Sequence, residues 1–154
     1  MPDPTVEHTA PTPPADYVSS PETTLLTELA LGLATYGAPA HRLEEAVSAL
    51  AEILGVRARF FAMPTAVFAM FERPDGSYDT RLLPVKTSDI NLERLVALDR
   101  VLNEVAEHTI TPNEGIQRIR DIETAPRRFT VATMLVSFAL VSGAASRFFG
   151  GGWG

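Results

Sequence analysis

There is no cysteine anywhere in the 154 residues, so disulfides and thiolate metal sites are excluded. The three histidines, His8, His41 and His108, lie far apart, and none has the paired spacing of a helical zinc site. No P-loop, dinucleotide fingerprint or nucleophile elbow is present. Serine and threonine hydroxyls are plentiful, but none has a neighbouring base that marks it as a nucleophile. Positive charge is also scarce. Lys and Arg number 13 against 19 Asp and Glu, a net charge of −6. No basic stripe offers the counterion release that nucleic-acid binding depends on, so nucleic acid is not the main partner. Nothing in the pattern calls for a cofactor. The opening stretch has neither a basic region nor an apolar core, so no signal peptide is expected there.

What is present begins with a tail. Residues 1–20 are rich in Pro and Thr and poor in large apolar groups, too few to offset the entropy of ordering, and are expected to be disordered. Ser20-Pro21-Glu22 then combines a capping serine, a first-turn proline and an acid at the positive end of a helix dipole. Leu25, Leu26, Leu29, Leu33 and Tyr36 follow at helical spacing, and Gly37 supplies a left-handed stop. Pro39 opens a second helix with Leu43, Val47, Leu50 and Leu54 on its apolar face, ended by Gly55. The period then changes. Segments 56–62 and 66–71 are dense in β-branched and aromatic residues around Met63-Pro64-Thr65, where proline marks a strand end or bulge. Pro74-Asp75-Gly76-Ser77 is a hairpin turn, and 78–85 returns as a third strand. Helices resume with Asn91 as a cap and Leu92, Leu95, Leu98, Leu102 and Val105 along one stripe. Thr111-Pro112-Asn113-Glu114 forms a capping box that starts a short helix carrying Ile116, Ile119 and Ile122, which Pro126 stops.

From Phe129 to Ser146 no side chain is charged. A bilayer core needs roughly 20 mostly apolar residues in a helix, so this run is a little short before Arg147 and needs Phe148, Phe149 and Trp153 to reach the far side. A buried helix with a polar stripe of Thr and Ser is the competing reading, although small and hydroxyl residues also pack membrane helices together. Arg118, Arg120, Arg127 and Arg128 precede the run, which predicts that the domain ahead of it faces the cytosol. The expected architecture is α+β: a helix pair, a three-stranded antiparallel meander, a helix pair, then a C-terminal transmembrane helix. Its divisions are a tail over 1–20, a cytosolic domain over 21–126, and a truncated first transmembrane helix over 127–154.

Among the polar clusters, His41, Arg42, Glu44 and Glu45 fall within a turn and a half of helix. His41 and Glu45 are four apart and share a face. Such a group suits a proton relay or an ammonium and carboxylate clamp, but the spacing favours a solvated helix start, because ordinary i, i+3 and i, i+4 ion pairs are common and weak. Arg147, near the end of an apolar segment, is either functional or snorkels to the interface.

The order Tyr36-Gly37-Ala38-Pro39-Ala40-His41-Arg42-Leu43-Glu44, then Met63-Pro64-Thr65, then Thr80-Arg81 resembles the amino-terminal domain of the threonine/serine exporter family. The segment Ile90-Asn91-Leu92-Glu93-Arg94-Leu95 and the closing Phe148-Phe149-Gly150-Gly151-Gly152-Trp153 share the likeness, which runs from about Leu25 to Gly154. The resemblance implies a bacterial inner-membrane exporter of threonine, serine or a related small metabolite, driven by the proton gradient. In such proteins a cytosolic domain precedes a set of membrane helices, in the same chain or in a partner protein; some relatives are associated with dicarboxylate export. Positions matching the family pattern are Gly37, Pro39, Arg42, Glu44, Pro64, Thr65, Thr80 and Arg81. With His41 and Arg147 they are candidates for gating or substrate handling. Most of the transport region is missing from this chain, so it is expected to be a fragment or one part of an assembly, with the lipid bilayer and the remaining membrane region as partners. The rival readings are a soluble or singly anchored small-molecule-binding regulatory domain, and a hydrolase using Thr65 or Ser48 with His41. No catalytic set supports the hydrolase.

Overall fold

Helix α1 (Pro21–Thr35) is the element that the others pack around. Its N-cap, Ser20, accepts the Thr23 amide on its side chain at 3.3 Å, and proline occupies the first helical position, where no amide is needed. Leu25, Leu26, Leu29 and Ala30 are fully buried. This helix is apolar round much of its circumference because it touches α2 (Ala40–Ile53), α3 (Leu92–Ala106) and the sheet. Each buried leucine contributes roughly 2 kcal/mol of hydrophobic stabilisation. The computed structural model that gives these positions describes residues 20–86, 90–125 and 131–148, the side chains of 131–134 excepted. The tail expected over 1–20, the arginines 127 and 128, and the closing glycines and tryptophan lie outside the described residues, Ser20 apart.

Glycine sets two helix crossings. A Cβ at Gly32 would come within 2.9 Å of a Leu98 methyl, and one at Gly115 within 2.9 Å of Leu25 and 3.1 Å of Val105. Helix α1 can therefore approach α3 and α4 (Pro112–Thr124) closely only where a side chain is missing. Arg120 of α4 also reaches Glu28 of α1 at 2.9 Å. The start of α4 is a complete capping box: Glu114 accepts from the Thr111 amide at 2.7 Å, and its own amide donates to the Thr111 hydroxyl at 3.3 Å. The Thr111 amide, and after it the Thr111 hydroxyl donating to Glu114 Oε2 at 2.9 Å, hold the Glu114 carboxyl below its ordinary pKa.

Strands β1 (Ala58–Met63), β2 (Ala66–Glu72) and β3 (Tyr78–Pro84) form an antiparallel meander in that order. Pro64 and Thr65 are the two-residue turn between the first pair, with Met63 opposite Ala66. The second turn is closed by Asp75, whose Oδ1 accepts from the Ser77 amide at 2.9 Å and its hydroxyl at 2.6 Å. The hydroxyl and amide lower the Asp75 pKa. Gly76 supplies the positive φ.

Alternation gives the sheet two faces. Phe60, Val67, Ala69 and Phe71 face the helices and are buried, with the Phe60 and Phe71 rings edge to face at 5.9 Å. Asp79 and Arg81 of β3 share that covered face. They are tolerated because Arg81 donates from Nε to Asp79 at 3.0 Å and lies 5.1 Å from the Phe71 ring centre. The other face carries Phe61, Tyr78 and Leu82, each more than half exposed.

The expected α+β order is thus observed as a helix pair, a three-stranded antiparallel meander and a helix pair. One detail of the expectation is corrected. Leu92 is 70% exposed, and Val101 takes its place in the core stripe with Leu98, Leu102 and Val105.

By its contacts the chain divides into two compact units, Met1–Glu123 and Thr124–Gly154. The second contains α5 (Val131–Phe148), whose side chains from Leu135 onward are exposed. Arg147 lies in its last turn, where a cation complements the helix dipole. Among the described residues no helix is long and apolar enough to cross a membrane.

Candidate functional site

The loop from α1 to α2 is built by one left-handed residue. Gly37 has φ +93°, which lets the Gly37 amide turn back to Ala34 O and the Ala38 amide to Leu33 O at 2.9 Å. A side chain at Gly37 would also press on Ile90, whose nearest carbon would lie 3.0 Å from the added Cβ. Tyr36, the last residue of this arm, is buried. Its hydroxyl accepts from Arg94 Nη1 at 2.9 Å, and the Arg94 guanidinium lies 5.2 Å from the ring centre. The Asn91 amide donates to Tyr36 O, so the α1–α2 loop and the start of α3 are held together.

Pro39 then takes the N-cap position of α2, without a side-chain cap bond. The residues that follow diverge in role because each step of a helix turns by about 100°. Leu43 points into the core. Glu44 turns toward the sheet, and its Oε1 accepts the Ala62 amide at 2.7 Å. His41, Arg42 and Glu45 are exposed.

Arg42 and Glu45 form one wall of a groove of about 580 Å³ between α2 and α3. Its floor is apolar, from Leu33, Ala38, Leu43, Ala46 and Leu102, and its far wall is Leu92, Leu95, Val96 and Asp99. This volume is within the range that holds small molecules. The arrangement offers one guanidinium for a carboxylate and two carboxylates for an ammonium, above an apolar floor. A second hollow of about 560 Å³ lies at the start of β1, lined by Ser48, Glu52, Arg57, Arg59 and Tyr78 among others.

The candidate residues are therefore only partly brought together. Pro39 and Arg42 line the first groove and Gly37 shapes the loop beside it. His41 is exposed at the helix start. Glu44 belongs to the α2–β1 junction. Pro64 and Thr65 form an exposed hairpin tip, Thr80 is exposed on the open sheet face, and Arg81 is on the covered face. Arg147 belongs to the other unit. Ser48 lines the second hollow, two helical turns or about 10 Å along the axis from His41. Among the described residues neither Ser48 nor Thr65 shares a hydrogen bond with His41, so the geometry gives the hydrolase reading no support. Three groove residues, Ala46, Val96 and Asp99, have no place among the sequence candidates. The one signal in the sequence is a valine with an acid at i+3, Val96 and Asp99, lying off the leucine stripe of their helix.

The profile of the family described as "Putative threonine/serine exporter" matches residues 24–154. Two uncharacterized proteins of Schizosaccharomyces pombe are each 27% identical to the chain. One aligns over 122 residues, 77% of this chain and 14% of its own length, and the other over 128 residues, 82% and 17%. The chain therefore spans less than a fifth of these relatives. No solved structure matches it.

Proposed function

The chain belongs to the threonine/serine exporter family, and from that premise we propose that it is the amino-terminal cytosolic part of an exporter of threonine, serine or a related small metabolite. The observation that carries this reading is the family match across 131 of 154 residues, from 24 to 154. The family suggests a transporter rather than an enzyme, and an exporter implies a membrane protein. In this reading the unit ending at Glu123 stays in the cytoplasm, and α5 begins the first membrane helix of a bacterial inner-membrane protein. At 1.5 Å per residue, the 18 residues of α5 rise about 27 Å against a hydrocarbon core of about 30 Å. A span would therefore recruit residues flanking the helix. Proton coupling and the pathway itself belong to further membrane helices, in the same chain or in a partner protein.

The groove between α2 and α3 favours a second reading, a small-molecule-binding regulatory domain. Its guanidinium, paired acids and apolar floor suit an amino acid. The test of the export reading is efflux of preloaded threonine from cells making the complete protein, with and without a proton gradient. Efflux equal to that of cells without the protein, at normal membrane levels, removes it. Binding of threonine to the chain with no efflux establishes the regulatory reading instead.

A further inference from the structure

We propose that the open face of the β-sheet is a docking surface for a membrane carrying anionic headgroups. The face is centred on Phe61, Phe68 and Leu82, which stand in one cross-strand row. Phe61 is 57% exposed and Leu82 is 58% exposed. Met63 and Tyr78 extend the apolar area on either side, at 44% and 61%. Apolar side chains in such an array are costly to leave in water and mark an interaction surface.

Charge identifies the occupant. Between residues 56 and 86 there are five Lys or Arg against three Asp or Glu, whereas 20–55 has one against five and 90–125 has four against seven. Of the meander's five basic residues, Arg73 and Arg81 pair with Asp79 on the covered side, which leaves Arg57, Arg59 and Lys86 as the cations available to the open face and its ends. Arg59 is exposed on the open face at one end of the sheet, and Lys86, two residues past the end of β3, is exposed at the other. The acid of this face, Glu72, is neutralised by Arg57 at 2.9 Å. An apolar aromatic centre with a basic rim suits shallow insertion between lipids with anionic headgroups, and the acidic helical side faces away from them.

Area argues against a second copy as the cover. Three strands of seven residues or fewer occupy roughly 300 Å² at ordinary strand spacings. Two such faces together would bury roughly 600 Å², about half of the ~1,200 Å² at the lower end for specific interfaces. A bilayer imposes no such minimum. The proposal does not depend on what the protein transports.

The absence of cysteine makes the test direct, because any introduced cysteine is a unique label site. The full chain carrying Leu82→Cys, and separately Thr80→Cys and Glu107→Cys, is labelled with an environment-sensitive fluorophore. It is mixed with phosphatidylcholine vesicles with or without phosphatidylglycerol. The expected result is a blue shift at positions 82 and 80 with the anionic vesicles alone, and none at Glu107→Cys on the helical side. Arg59→Gln and Lys86→Gln together should reduce the shifted fraction about 30-fold, near fivefold for each basic residue removed. Flotation is scored separately, so vesicle binding through α5 is distinguished from contact through the sheet. A chain that floats while the labels at 82 and 80 stay in water overturns the proposal and leaves the export reading intact. Labels already shielded without vesicles also overturn it, and assign the face to a second copy or another protein segment.

Discussion

Glu44 Oε1 accepts the Ala62 amide at 2.7 Å, joining the start of α2 to the edge strand β1. An edge strand otherwise presents unpaired amides for association with other chains. A residue that matches the exporter family pattern is thus tied to the structure of the domain. We expect Glu44→Ala to lower stability by about 1.5–3 kcal/mol, the range for a hydrogen bond to a charged group. Glu44→Gln keeps a carbonyl acceptor and should recover most of the loss. Urea unfolding of the three proteins checks this, and equal midpoints for all three would show that the bond contributes nothing.

Arg42, two residues earlier, should behave in the opposite way. Its side chain is exposed on the wall of the groove, so Arg42→Ala should change stability by no more than about 0.5 kcal/mol. If the groove handles substrate, the same change in the complete protein abolishes threonine efflux at an unchanged membrane level. Normal efflux would reassign Arg42 to the solvated helix surface.

Gly37 and Gly55 both have positive φ, +93° and +70°. A Cβ at Gly55 would meet nothing within 4 Å, whereas at Gly37 it would meet Ile90 at 3.0 Å. Gly55→Ala should therefore cost about 1 kcal/mol, from backbone strain alone. Gly37→Ala should cost more, and Ile90→Ala should relieve the excess. Equal losses at the two glycines, measured by thermal unfolding, would show that the Ile90 contact yields freely.

Acid should loosen the start of α4. The Glu114 carboxyl has its pKa lowered, first by the Thr111 amide and then by the Thr111 hydroxyl. A carboxyl whose folded value lies below its unfolded value stabilises the fold above the unfolded value. That contribution is lost as pH falls through the folded value. Stability is therefore expected to be full above the ordinary value of 4.5 and to decline below it. Glu114→Gln should flatten this acid limb, as seen in urea midpoints measured from neutral pH downward.

Features set by neighbouring residues were legible in the sequence. The Ser20 cap, the Gly37 stop, the Asp75-Gly76 turn and the Thr111–Glu114 box each depend on bonds spanning a few residues, so residue type and spacing suffice. Alternation in β3 was equally plain, but it could not say which face is covered. Asp79 and Arg81 occupy the covered face because they neutralise each other, which composition alone does not reveal. Leu92 was placed in the core by its spacing, since a leucine ahead of Leu95 and Leu98 has the same period whether or not an element lies opposite it. The Glu44–Ala62 bond and the placing of Arg42 across the groove from Asp99 both join segments distant in sequence. Local pattern carries no record of them.

The glycine crossings also set the order in which the protein can be completed during synthesis. Leu25 leaves the ribosome well before its partner, since Gly115, which packs against it, comes 90 positions later. Until α4 emerges, α1 remains open on that side and available to chaperones. Closure of the α1–α4 crossing is therefore a late event of synthesis, and a pause placed before α4 would hold the core open.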